Sequence, residues 1–146
     1  MIQALRDAAA TQAFGRQLAL RLPAGSILLL EGDLGAGKTC LVQGLAAGLG
    51  IEEPITSPTF ALAQHYQLQP AGGLVHLDLY RLELAAAADE LFAQEEEEAR
   101  ALGALLAVEW PERLSRPPAG CWQIQLSLID PGNPEAGRLI EVRSPS

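Results

Sequence analysis

Lysine is almost missing from this chain. Among 146 residues there is one, Lys38, beside nine arginines, and there is one asparagine, Asn133. Basic residues number 10 against 18 acidic ones, leaving a net charge of −8. That balance excludes a free-standing nucleic-acid binder, because neutralising phosphates needs a basic face. Any contact with nucleic acid would fall to a partner protein. Cysteine is scarce as well: Cys40 and Cys121 stand far apart, with no CxxC pair and no histidine cluster. This rules out a zinc or disulfide framework and suits a reducing compartment. No apolar run approaches the roughly 18–20 residues of a membrane span. Met1 to Asp7 shows no basic start followed by an apolar stretch, so no signal peptide is expected and the protein reads as cytoplasmic.

What is present is apolar character, 49% of residues, enough for one domain with a real core over residues 1–146. The spacing of Ala13, Phe14, Leu18, Leu20 and Leu22 predicts a helix over 7–22, stopped by Pro23-Ala24-Gly25. An unbroken apolar run over 26–31 predicts a strand covered on both faces. Helical spacing returns from Lys38 to Leu49 and closes at Gly48 and Gly50. Thr59 to Leu68 and Leu74 to Tyr80 read as a hairpin around Gln69 to Gly73. Residues 83–103, rich in alanine and glutamate, predict one or two solvated helices. Ala104 to Trp110 reads as a buried strand, and Trp122 to Leu128 alternates as a half-exposed one. A last strand is expected over Arg138 to Val142.

The single lysine sits in Gly32-Asp33-Leu34-Gly35-Ala36-Gly37-Lys38-Thr39, which fits G-x-x-x-x-G-K-[ST] at every fixed position. Glycines let backbone N–H groups turn inward around an anion without a Cβ in the way. A helix starting at Lys38 would aim its positive end at the same point. The lysine suits β- and γ-phosphates, and the Thr39 hydroxyl suits Mg²⁺. An accidental match arises on the order of once in a hundred chains or fewer, and here a strand precedes and a helix follows. The segment therefore reads as a nucleotide-phosphate cradle.

Such sites manage Mg²⁺ and water with acids at neighbouring strand tips. Asp78 in "LVHLDLY" and Glu109 ending "ALLAVE" are the candidates, either able to hold the metal or polarise a water. "ITSPTF", Ile55 to Phe60, offers hydroxyls from Thr56, Ser57 and Thr59 for sensing a γ-phosphate. His65 and His76 read as packed or surface residues, and Glu95 to Glu98 as a solvated helix face. Cys40 reads as a small buried side chain. Guanine recognition by an N-K-x-D loop is excluded, since Lys38 and Asn133 are far apart, which leaves ATP as the default.

With these pieces the chain resembles the TsaE (YjeE) family, small ATPases of bacterial tRNA threonylcarbamoyladenosine biosynthesis. "GDLGAGKT", "SPTF", "HLDLYRL" and "VEWPE" carry the resemblance, in the family's order and spacing. It implies an α/β, three-layer P-loop NTPase-like fold with a central, mostly parallel sheet and added antiparallel strands. It implies ATP at Leu34 to Thr39, with Asp33 in the same loop, Mg²⁺ near Thr39 and Glu109, and Asp78 as a supporting acid. Thr56 to Phe60 would be the switch-like segment, and Thr11 and Gly137-Arg138 would flank adenine. Cys40 stands where family members often carry threonine or serine. The resemblance further implies a TsaB–TsaD pair as partners, with TsaD modifying adenosine 37 of tRNAs reading ANN codons and ATP hydrolysis resetting the complex. Contact with tRNA would then be indirect. Arg81 reads as a salt-bridge or interface residue rather than an arginine finger. A small-molecule kinase and a non-hydrolytic ATP-sensing scaffold are the alternatives.

Overall fold

A computed structural model describes residues 1–33, 35–56 and 62–145. Ten regular elements follow one another: β1 (Ile2–Leu5), α1 (Ala8–Arg21), β2 (Ile27–Glu31), α2 (Lys38–Leu49), β3 (Ala63–Gln67), β4 (Gly73–Asp78), α3 (Ala85–Leu102), β5 (Leu105–Glu109), β6 (Trp122–Leu128) and β7 (Arg138–Arg143). Short 3₁₀ turns lie at Pro111–Arg113 and Pro134–Ala136. The strands form one sheet in the order β1-β7-β6-β2-β5-β4-β3. Its middle four strands, β6, β2, β5 and β4, run parallel. β7 and β1 add antiparallel at one side and β3 at the other. This is the expected α/β fold, with helices on both faces.

Local chemistry accounts for most boundaries. Asp7 caps α1, its Oδ1 accepting the Ala10 N–H at 2.8 Å. Gly50 and Gly103 end α2 and α3 in the left-handed conformation, each donating its N–H back to the last turn. Alternation along the strands sorts side chains into two cores. Leu28, Leu30, Leu74, Leu105, Ile124 and Leu126 pack against Phe14 and Leu18 of α1 and Leu41 and Leu45 of α2. Leu29, Val75, Leu77, Leu106 and Val108 pack against Ala88, Phe92 and Ala99 of α3 on the opposite face.

The α1–α2 contact is unusually close. A Cβ added at Gly44 would lie 2.2 Å from the Gln12 carbonyl oxygen, and one at Gly15 would lie 2.6 Å from that of Leu41. Hydrogens in place of side chains let the two backbones touch, so α1 braces the helix that starts at Lys38. Helical periodicity alone carries no sign of this seam.

One strand was not expected, and two expectations needed correction. β1 gave no readable signal, because four residues pairing only with β7 draw their order from a distant strand. The expected hairpin exists, but β4 stops at Asp78: the Asp78 Oδ1 accepts the Tyr80 N–H at 2.9 Å and turns the chain. Thr59 to Ala61 of the other arm fall outside the described residues. Residues 83–103 form one helix, and its charge run is not uniformly solvated. Glu95 is buried in the stripe with Ala88, Phe92 and Ala99, and it binds His65 Nε2 at 2.7 Å.

Candidate functional site

β2 sits between β5 and β6 in the parallel block, so its C-terminal end opens at the middle of the sheet. The chain turns there through Gly32 to Gly37 and enters α2 at Lys38. Gly37, at the helix entry, has φ of 103°, a left-handed conformation costly for any residue with a side chain. Among the described residues no side chain caps α2 and no acid stands in its first turn, so its leading N–H groups suit an anion. The Ala36 N–H donates to the Asp33 carbonyl at 3.0 Å, closing the loop on itself. Arg138, at the start of β7, fastens the loop from outside. It donates from Nη2 to the Gly35 carbonyl at 3.1 Å and from Nη1 to the Pro134 carbonyl at 2.6 Å. Leu34 lies outside the described residues.

Lys38 is 5% exposed, and its Nζ has no hydrogen-bond partner among the described residues. Instead it lies 4.0 Å from the centre of the Trp110 ring. A buried ammonium costs several kcal/mol in desolvation, of which a cation–π contact returns only about 1–2. Such a group fits a ligand rich in anionic oxygens. Trp110 itself has φ of 59°, the one left-handed non-glycine among the described residues. Backbone strain of that kind costs on the order of 1–3 kcal/mol and gathers at functional sites. Trp110 also meets Tyr80 at 4.8 Å between ring centres, and Arg113 lies over the other aromatic at 5.6 Å.

Register brings the acids to the same place. Asp78 pairs with Glu109 between β4 and β5, and Glu109 pairs with Leu30 of β2. Alternation puts His76, Asp78 and Glu109 on the face that carries α2, below its first turn. Burial pushes the Asp78 carboxyl above its ordinary value, and the Glu109 charge adds to this. The Tyr80 N–H, His76 and Lys38 oppose the shift. Glu109 is buried, and its Oε2 shares a 2.5 Å hydrogen bond with His76 Nε2. Thr39 lies half-buried in the first turn of α2.

Among the described residues, no three His, Cys, Asp or Glu side chains converge as a metal cage. Magnesium commonly uses one or two protein ligands beside phosphate oxygens, so this donor set suits a metal carried by a nucleotide.

A pocket of about 280 Å³ opens beside the loop, its lining including Arg6, Asp7, Thr11, Cys40, Glu135 and Arg138. It is large enough for a base. The Thr11 hydroxyl is already engaged with the Asp7 carbonyl at 3.2 Å. Gly137 is buried at the turn before Arg138. Thr56 is exposed, while 57–61 of the switch-like segment lie outside the described residues.

The structure thus brings Lys38, Asp78 and Glu109 together, with Thr39 and the loop amides above them. Sequence reasoning missed Trp110 and His76. A tryptophan beside a proline at a strand end carries no periodic signal. A histidine in a β-like run reads as packing until its cross-strand neighbour is known.

Known proteins resemble the chain throughout. A family model described as threonylcarbamoyl adenosine biosynthesis protein TsaE matches residues 5–133. Relatives named tRNA threonylcarbamoyladenosine biosynthesis protein TsaE include the following three. The Synechocystis protein is 51% identical over 118 residues, covering 79% of this chain and 73% of its own. The Nostoc protein is 43% identical over 132 residues, covering 90% and 81%. That of Treponema pallidum is 40% identical over 131 residues, covering 89% and 93%. The crystal structure of Bacillus subtilis YdiB superposes with a TM-score of 0.70 at 29% identity, over 100% of this chain and 86% of that one. Fold, motifs and relatives agree: the chain belongs to the TsaE family of tRNA threonylcarbamoyladenosine biosynthesis proteins.

Proposed function

We propose that this protein binds and hydrolyses ATP, slowly alone and faster with partner proteins, in support of threonylcarbamoyladenosine formation at position 37 of tRNAs reading ANN codons. The observation that carries the reading is the buried, unpartnered Lys38 ammonium at the mouth of α2, with Asp78 and Glu109 beneath it. In this reading the amides of Gly35 to Thr39 bind the phosphates and Lys38 offsets their charge. Thr39 and Glu109, with Asp78 in support, would hold Mg²⁺, which when bound draws charge off the β- and γ-oxygens. Glu109 or Asp78 orients the attacking water, and the pocket beside Thr11 and Arg138 receives adenine.

Partners would supply chemistry not found among the described residues. Arg81 is exposed on the turn after β4 and pairs with no acid among the described residues, and no arginine among them forms a salt bridge with Asp78 or Glu109. A partner that orders the switch-like segment or lends a cation would raise the rate. TsaB and TsaD are the expected partners, in the cytoplasm, and hydrolysis would reset their complex between turnovers. The net charge of −8 fits a subunit whose tRNA contacts are made by others. Among the described residues no helix is long and apolar enough to cross a membrane.

Phosphate release measured with and without TsaB, TsaD and tRNA tests the proposal. Stimulation by the pair is expected. Flat release at every ratio of partners would refute it.

A further inference from the structure

His76 is completely buried in β4, and its Nε2 lies 2.5 Å from Oε2 of Glu109. An ionised carboxylate only accepts hydrogen bonds, so the proton belongs on Nε2 and the tautomer follows from the partner. The other ring nitrogen, Nδ1, is buried with no hydrogen-bond partner among the described residues. Oε1 of Glu109 accepts no hydrogen bond among those residues either.

Packing does not require this arrangement. The β4–β5 register already runs unbroken from Leu74 opposite Leu105 to Asp78 opposite Glu109. His76 faces Ala107 in that ladder, so its bond to Glu109 runs diagonally between strands the backbone has joined. An aliphatic residue between its cross-strand partners Gln64 and Ala107 would keep the buried volume without leaving a ring nitrogen unsatisfied. A buried polar group that loses a hydrogen bond lowers stability, and such losses concentrate where function compensates for them.

We infer that His76 is a positioning residue: it holds one oxygen of Glu109 and leaves the other as the oxygen presented to metal or water. The inference rests on the ATPase reading proposed above and deepens it. Glu109 ends its strand, and Trp110 immediately leaves the sheet in a left-handed turn. A carboxylate there, unheld, would rotate about its terminal torsion, which is broad for glutamate. The imidazole removes that freedom from below. Groups that orient a ligating or catalytic carboxylate typically contribute about 10- to 100-fold in affinity or rate.

The test compares wild type, His76→Leu and His76→Gln in the complete complex with the partner proteins. The glutamine amide nitrogen reaches the position of Nε2, whereas leucine keeps only the volume. His76→Leu is expected to lower kcat about 10- to 100-fold with ATP Kd and KM nearly unchanged, and His76→Gln to recover most of the rate. In isotope-edited spectra of the nucleotide-free wild type, a strongly downfield imidazole N–H proton is expected, lost in Glu109→Ala. Full turnover by folded His76→Leu overturns the inference. So does failure of His76→Gln to rescue, a loss confined to ATP affinity, or absence of the downfield proton. Wild type that releases no phosphate with partners overturns the ATPase reading itself, a distinct outcome.

Discussion

Replacing Lys38 by methionine separates two effects that usually go together. The side chain keeps its length and loses its charge, and the methionine sulfur can still contact the Trp110 ring. Lys38 is 5% exposed, and its ammonium lies 4.0 Å from that ring with no acceptor among the described residues. Removing it forfeits a cation–π contact of about 1–2 kcal/mol and recovers a desolvation cost of several kcal/mol. The folded state should therefore hold its stability or gain about 1–3 kcal/mol. Nucleotide binding moves the other way. Hydrogen bonds to a charged group contribute about 1.5–3 kcal/mol, so losing the ammonium weakens ATP by about 10- to 100-fold. Denaturant unfolding of the nucleotide-free variant and calorimetric titration with ATP and Mg²⁺ read the two quantities. Destabilisation by more than about 1 kcal/mol with unaltered ATP affinity would refute the reasoning, since Lys38 would then be an ordinary structural cation.

Gly44→Ala forces a Cβ to 2.2 Å from the Gln12 carbonyl, where neither helix backbone can yield cheaply. A loss of about 3 kcal/mol or more is expected in denaturant unfolding; a change within about 0.5 kcal/mol would contradict the close seam. Asp78→Asn keeps an acceptor for the Tyr80 N–H while removing a carboxylate whose folded pKa is raised above 3.8, chiefly by burial. Ionising it as pH rises through that folded pKa costs stability, and below 3.8 the cost is absent in both states. The variant should be more stable than wild type at pH 7 without nucleotide, with the advantage shrinking as pH falls; an advantage independent of pH would contradict this. Arg138→Ala cuts the two bonds that tie the phosphate loop to the Pro134 turn. ATP affinity should fall about fivefold, equivalent to about 1 kcal/mol, with the fold intact, whereas unchanged binding in a titration would show the tie to be incidental.

Much of this protein can be read along the chain, because the relevant forces act between near neighbours. The strand Ile27–Glu31, the glycine-bearing loop and the helix Lys38–Leu49 obey local rules of periodicity, capping and backbone freedom. The lysine and the two strand-end acids are visible for the same reason. Other features arise only when distant segments meet. β1 takes its order from β7, and the Gly15–Gly44 seam exists because two helices press together. Glu95 becomes buried by crossing to His65, thirty positions away in sequence. Sequence determined that a glycine-bearing loop with its single lysine and two strand-end carboxylates exist. Tertiary structure decided that the ammonium would rest on Trp110 and that His76 would grip Glu109, since pairing β4 beside β5 sets those neighbours and no local pattern encodes strand order.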